Sequence, residues 1–201
     1  MAVNVAAECG RGRAVFVWQQ GADSSASEQE ASSIHRGNKP FGVSEHMAFQ
    51  VLAISDSMAT QVREKLASPQ YGHPAHVEVA TGTGPCRSCL RTFEVGQEER
   101  ILFTYNPFEG LDAYPSPGPV FVHRTACEPF RGEGFPETLK SLPLTLEAYG
   151  DDRWILDRVR VTDGKVDEPI EMLLAKSEVR YVHVRHTEAG CFIAQVNRVG
   201  S

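Results

Sequence analysis

The stretch EVRYVHVRHTEAGCFIAQVNR, residues 178–198, decides the fold. Val182 and Val184 alternate with Tyr181, His183 and Arg185, a period of two that places the valines on a core face and the polar side chains on the other. The turn HTEAG, residues 186–190, is short and contains Gly, so the chain reverses and returns as a second strand from Cys191 to Arg198. In that strand Cys191, Ile193 and Gln195 alternate against Phe192, Ala194 and Val196. A symmetric turn predicts Cys191 near Arg185 and Ile193 near His183. An antiparallel hairpin at the C-terminus implies a sheet built from neighbouring strands.

Working back along the chain, the same pattern recurs. Leu144 to Tyr149 and Trp154 to Val161 read as a strand pair across Gly150-Asp-Asp152. Pro119 to His123 is a strand. Cys89 to Phe93 and Arg100 to Tyr105 are predicted as a hairpin turning at Val95-Gly96, and His76 to Ala80 alternates as a strand. Phe49 to Ile54 opens the series. Between these lie helical signals. Ser55 or Asp56 caps a helix in which Met58, Val62 and Leu66 recur four apart. Pro136 to Leu142 reads as a short helix with Pro at its start. Ile170, Leu173 and Leu174 form an amphipathic face behind Asp167 and Pro169. The expected fold class is α+β, a mostly antiparallel sheet with two or three packed helices.

The first 46 residues differ. GADSSASEQEASS has no strand or helix period and too little apolar surface to offset the entropy of ordering. Residues 1–46 are expected to be disordered, or a mis-called N-terminal extension ahead of a start at Met47, with residues 47–201 forming a single α+β domain.

Composition excludes several functions. The chain has 201 residues, 41% hydrophobic and 23% charged, with a net charge of −6. An acidic chain without a basic cluster is a poor nucleic-acid binder, because phosphate contacts need cationic surface. No apolar run is long enough to span a bilayer, and no signal-peptide h-region is present. The expectation is a cytoplasmic protein with reduced thiols, and five cysteines, an odd number, fit a disulfide framework poorly. No dinucleotide fingerprint, Walker loop, nucleophile elbow or HExxH pair occurs.

What remains is a cysteine and histidine constellation. GTGPCRSCLRTF, residues 82–93, carries Cys86 and Cys89 in a CxxC, and VHRTACEPF carries His123 and Cys127 in an HxxxC. A CxxC turn aims two sulfurs at one point about 2.3 Å away, and a second pair from another element closes a tetrahedron. The spacing predicts a zinc site of Cys86, Cys89, His123 and Cys127, closed by four protein ligands and so structural. Zinc knuckles commonly carry Gly after the second Cys; here Leu90 follows. Two rival readings stay open. One is a thiol-based redox enzyme using the Cys86–Cys89 dithiol, or Cys191 activated beside His183 and Arg185. The other is an interaction module without chemistry, its cysteines serving as small buried residues. No residue pattern names a substrate, a reaction or a partner.

Six segments, in order, carry a family resemblance: GPCRSCLR (84–91), ERILFTYNPF (99–108), GPVFVHRTAC (118–127), FPETL (135–139), EVRYVHVRH (178–186) and GCFIAQVNR (190–198). Together they resemble the bacterial proteins grouped as domain of unknown function 1203. The resemblance covers roughly residue 47 to the C-terminus. It implies a pairing of CRxCL with HxxxC and a Cys-bearing last strand, here Cys86, Cys89, His123, Cys127 and Cys191. Many members carry a further Cys in that strand where this chain has Ala194, which weakens a second dithiol. The family has no assigned activity, so the resemblance implies a domain and not a reaction.

Overall fold

The computed structural model describes residues 48–111, 116–151 and 153–199 of the chain. The expectations for residues 1–46 and for Met47 lie outside the described residues. Within them the architecture is two antiparallel sheets. The first has five strands in the order β1 (Phe49–Leu52), β8 (Phe192–Arg198), β7 (Tyr181–His186), β5 (Leu144–Tyr149) and β6 (Ile155–Val161). The second has three, β2 (His76–Val79), β3 (Glu99–Tyr105) and β4 (Gly118–His123).

This corrects the α+β expectation: the fold is mostly β, with eight strands against two short helices, α1 (Asp56–Lys65) and α2 (Asp167–Leu174). The third expected helix is a single 3-10 turn, Glu137–Leu139. Pro136 and Pro143 bracket it, which leaves too few residues for a helical nucleus to propagate. The helices that do form follow their sequence signals. Ser55 caps α1 by accepting a bond from the Met58 N–H at 3.2 Å, and Ala59 and Val62 are its buried side. Asp167 and Glu168 sit in the first turn of α2, where the helix dipole favours negative charge.

Each sheet owns a core. α2 lays Ile170, Leu173 and Leu174 on the face of the larger sheet that carries Leu144, Leu146, Val182, Val184 and Val196. α1 packs Ala59 and Val62 with Ile101, Phe103, Val120 and Val122 of the smaller sheet. The C-terminal hairpin departs from symmetry by one residue. A bulge between Val184 and Arg185 pairs Arg185 with Phe192 and His183 with Gln195. Ile193 therefore joins Ala194 in the larger core instead of facing His183, and Phe192 turns into the smaller core.

The expected strand from Cys89 to Phe93 does not form either. A tight turn occupies those positions, held by Cys86 N–H to Arg91 O at 2.8 Å and Leu90 N–H to Cys86 O at 2.9 Å. β3 pairs instead with β2 and β4.

Candidate metal centre

That turn is a knuckle, and its geometry answers the objection that Leu90 raises. Leu90 has φ of 58°, the left-handed conformation that Gly usually supplies. Its side chain is fully buried in the larger core, while Cys86 and Cys89 belong to the smaller one. Left-handed backbone costs a non-Gly residue about 1–2 kcal/mol. Burying a Leu side chain returns about 1.5–3 kcal/mol. The knuckle thus straddles both cores, and Leu90 is its anchor in the larger one.

Hydrogen bonds tie the knuckle to β4, to β8 and to the loops at Ile54 and Phe130. Ile54 N–H donates to Arg87 O, Arg87 N–H to Phe121 O on β4, and Phe130 N–H to Ser88 O. The buried Arg87 guanidinium donates to Phe192 O on β8 at 2.7 Å. The CxxC is therefore rigid on all sides.

β4 ends at His123 and the chain bends back to Cys127. This brings the ligand atoms of Cys86, Cys89, His123 and Cys127 within 4.8 Å of one another. Cys86 Sγ lies 3.9 Å from Cys127 Sγ, and Cys89 Sγ lies 3.5 Å from His123 Nδ1. A tetrahedron with metal–sulfur bonds of about 2.3 Å and metal–nitrogen bonds of about 2.0 Å has S···S edges of about 3.8 Å and S···N edges of about 3.5 Å. The two spacings match those edges. All four residues named from sequence are brought together, and as a set they could hold a metal ion.

The surroundings complete the arrangement, and sequence reasoning missed them. The far ring nitrogen, His123 Nε2, faces Glu98 Oε2 at 3.3 Å, so the carboxylate fixes the tautomer that presents Nδ1 to the sulfurs. The Glu98 carboxyl is held below its usual range, first by the Glu94 N–H and then by the His123 ring. From α1, Arg63 donates through Nη2 to Cys127 Sγ at 3.2 Å and through Nε to His123 O at 3.1 Å. Three thiolates around a divalent ion would leave one surplus negative charge, which Arg63 is placed to neutralise. No spacing signal could link residue 63 or 98 to the cysteines, because only the packing of α1 and the β2–β3 turn against β4 brings them close.

The electrostatics show which protons a metal must displace. Hydrogen bonds from Cys127 and then Cys86, helped by His123 and the Arg91 N–H, drive the Cys89 thiol far below its usual range. Cys86 is pushed far above that range by its contacts with Cys127 and Cys89 and by burial. His123 rises to about 10 through its contacts with Cys127 and then Cys89.

The residues of the rival thiol chemistry are placed differently. Cys86 is wholly buried and the CxxC turns instead of opening a helix, so the helix-dipole activation of a thioredoxin-type pair is missing. Cys191 Sγ lies 3.5 Å from Ala189 O. His183 sits apart from it in a box of four rings, Phe108, Tyr149, Tyr181 and Phe192, with centroids 4.9–5.0 Å away. No hydrogen bond joins Cys191 to His183.

With this geometry in hand, comparison with known proteins identifies the domain. The profile described as "Protein of unknown function (DUF1203)" matches residues 83–198. The chain belongs to this family. The matched DUF1203 segment holds all four cluster residues together with Glu98, and leaves Arg63 outside. Comparison with curated proteins and with solved structures found no match. Among the described residues no helix is long and apolar enough to cross a membrane.

Proposed function

We propose that this DUF1203 domain is a zinc-stabilised module in which Cys86, Cys89, His123 and Cys127 bind one ion in a closed tetrahedral site. The observation that carries this reading is the convergence of three Sγ atoms and His123 Nδ1 at tetrahedral spacing, with Glu98 orienting the imidazole from behind. Sulfur with one imidazole in tetrahedral geometry favours zinc among the common divalent ions. Four protein ligands leave no open position, so the metal's role is structural. It cross-links the knuckle to the end of β4, and through Arg63 to α1. The chain from residue 47 onward then acts as one domain, in which the metal fixes the knuckle in the smaller core and Leu90 anchors the same knuckle in the larger one.

The test is metal content of protein purified without chelator, wild type against Cys89→Ser. About one zinc per chain, lost in the variant, is expected. A cobalt-substituted protein should show the intense d–d bands of a tetrahedral thiolate site. Metal-free wild-type protein whose Cys86 and Cys89 thiols titrate freely would discard the reading.

A further inference from the structure

A second site lies on the outer part of the larger sheet and contains none of Cys86, Cys89, His123 and Cys127. Three adjacent strands place Arg160 of β6, Thr145 of β5 and Arg185 of β7 directly across from one another. One row further along, Arg158 faces Glu147. These side chains line a hollow of about 290 Å³ that also takes in His186 and Thr187.

The charges in this hollow do not balance. Glu147 is its sole carboxylate among the described residues, against three guanidinium groups. Glu147 lies beneath them, accepting bonds from Arg158 Nε and Nη2 at 3.1 and 2.8 Å and from Arg185 Nε at 2.6 Å. Arg185 Nη1 is further tied to Gly190 O at 3.1 Å. Two guanidinium groups are thereby held in place while Arg158 Nη1 and Arg185 Nη2 keep protons to donate. Arg160 is exposed and makes no ion pair among the described residues. His186 Nδ1 accepts the Ala189 N–H at 3.4 Å, which leaves its proton on Nε2, a further donor. The paired hydroxyls of Thr145 and Thr187, 2.8 Å apart, use one proton between them and leave one neutral donor.

A chain of net charge −6 concentrates surplus positive charge here, on pre-positioned arginines. Planar guanidinium forks bind phosphate oxygens in pairs, and fixing them beforehand lowers the entropy lost on binding. We propose that this hollow binds a phosphate group, free or at the end of a small ester. It is larger than one phosphate. A neighbouring hollow of about 240 Å³, sharing Arg185 and Gly190 and walled by Tyr105, Pro119 and Phe192, gives room for an apolar ester group.

The experiment is calorimetric titration of the full-length protein as purified with inorganic phosphate and with phenyl phosphate, at constant ionic strength. Saturable binding is expected in the millimolar range or tighter. Arg160→Ala should weaken it about tenfold, the effect of losing one charge-assisted contact. The thermal midpoint of that variant should not move, because Arg160 makes no ion pair or side-chain hydrogen bond among the described residues. Arg131→Ala, an exposed arginine by β1, should leave binding unchanged. Tighter binding of phenyl phosphate assigns the site to esters, and equal binding assigns it to the free ion. Absence of saturable heat with either probe, or equal weakening by both arginine variants, would overturn the proposal. The result is independent of whether the cysteine cluster binds zinc.

Discussion

At the scale of single residues, Leu90 reverses an ordinary rule. The left-handed backbone after a CxxC usually argues for Gly, and Leu→Gly there would relieve about 1–2 kcal/mol of strain. Yet the same change empties a fully buried site beside Phe135, Leu139 and Leu144. Removing a buried Leu side chain costs about 2–5 kcal/mol. The loss wins, and Leu90→Gly should destabilise the metal-loaded protein by about 2–3 kcal/mol. Zinc stoichiometry should stay the same, because the ligand backbone keeps its turn. Urea denaturation with metal analysis reads both, and a variant as stable as wild type would show that Leu90 does not anchor the knuckle.

At the scale of elements, β7 illustrates what the sequence could and could not reveal. Strands β4 to β8 were legible because alternation and turn residues mark them independently of the rest of the fold. That CxxC and HxxxC come together was likewise legible, since each pair is set by a short local spacing. The knuckle was misread as a strand because its apolar residues, Leu90 and Phe93, serve two different cores. The polar face of β7 was read as lying opposite the core, yet His183 on it is completely buried. Phe108, from the loop after β3, closes over its ring, a contact that no local pattern encodes. Burial, reinforced by the Arg185 charge, lowers His183 to about 3 despite support from Gln195 opposite and from Glu147. Its unfolded value is about 6.5, so the unfolded chain takes up a proton first as pH falls. The stabilisation from neutral His183 is therefore complete above pH ~6.5 and is lost progressively toward pH ~3. Between pH 6.5 and 5 the loss should be about 2 kcal/mol, at about 1.4 kcal/mol per pH unit. Subtracting the same curve for His183→Phe removes the contributions of carboxylates and metal ligands, which both proteins share. Parallel stability curves for the two proteins would contradict a neutral, buried His183.

At the scale of the whole molecule, the two sheets differ in what holds them. The five-stranded sheet has α2 and a continuous aliphatic core from Val51 to Val196. The three-stranded sheet has a smaller core in which Cys86 and Cys89 take part directly. Its strand β4 ends in a proposed ligand, and its helix α1 reaches the cluster through Arg63. Metal removal should therefore act unevenly. A ligand present at a thousandfold its dissociation constant stabilises by about 4 kcal/mol, which for a domain of this size is on the order of 10 °C in melting temperature. Chelation should lower the melting temperature by at least that order, and this difference should shrink as pH falls, because protons compete with the metal for Cys86 and His123. Amide exchange should then lose protection across β2, β3 and β4 while β5, β7 and β8 keep theirs, since the larger core contains none of the ligands. Cys191→Ser, outside the cluster, should leave the melting temperature nearly unchanged. Chelated protein with undiminished protection in β4 would mean that the cysteines are packed side chains and that the smaller sheet stands without a metal.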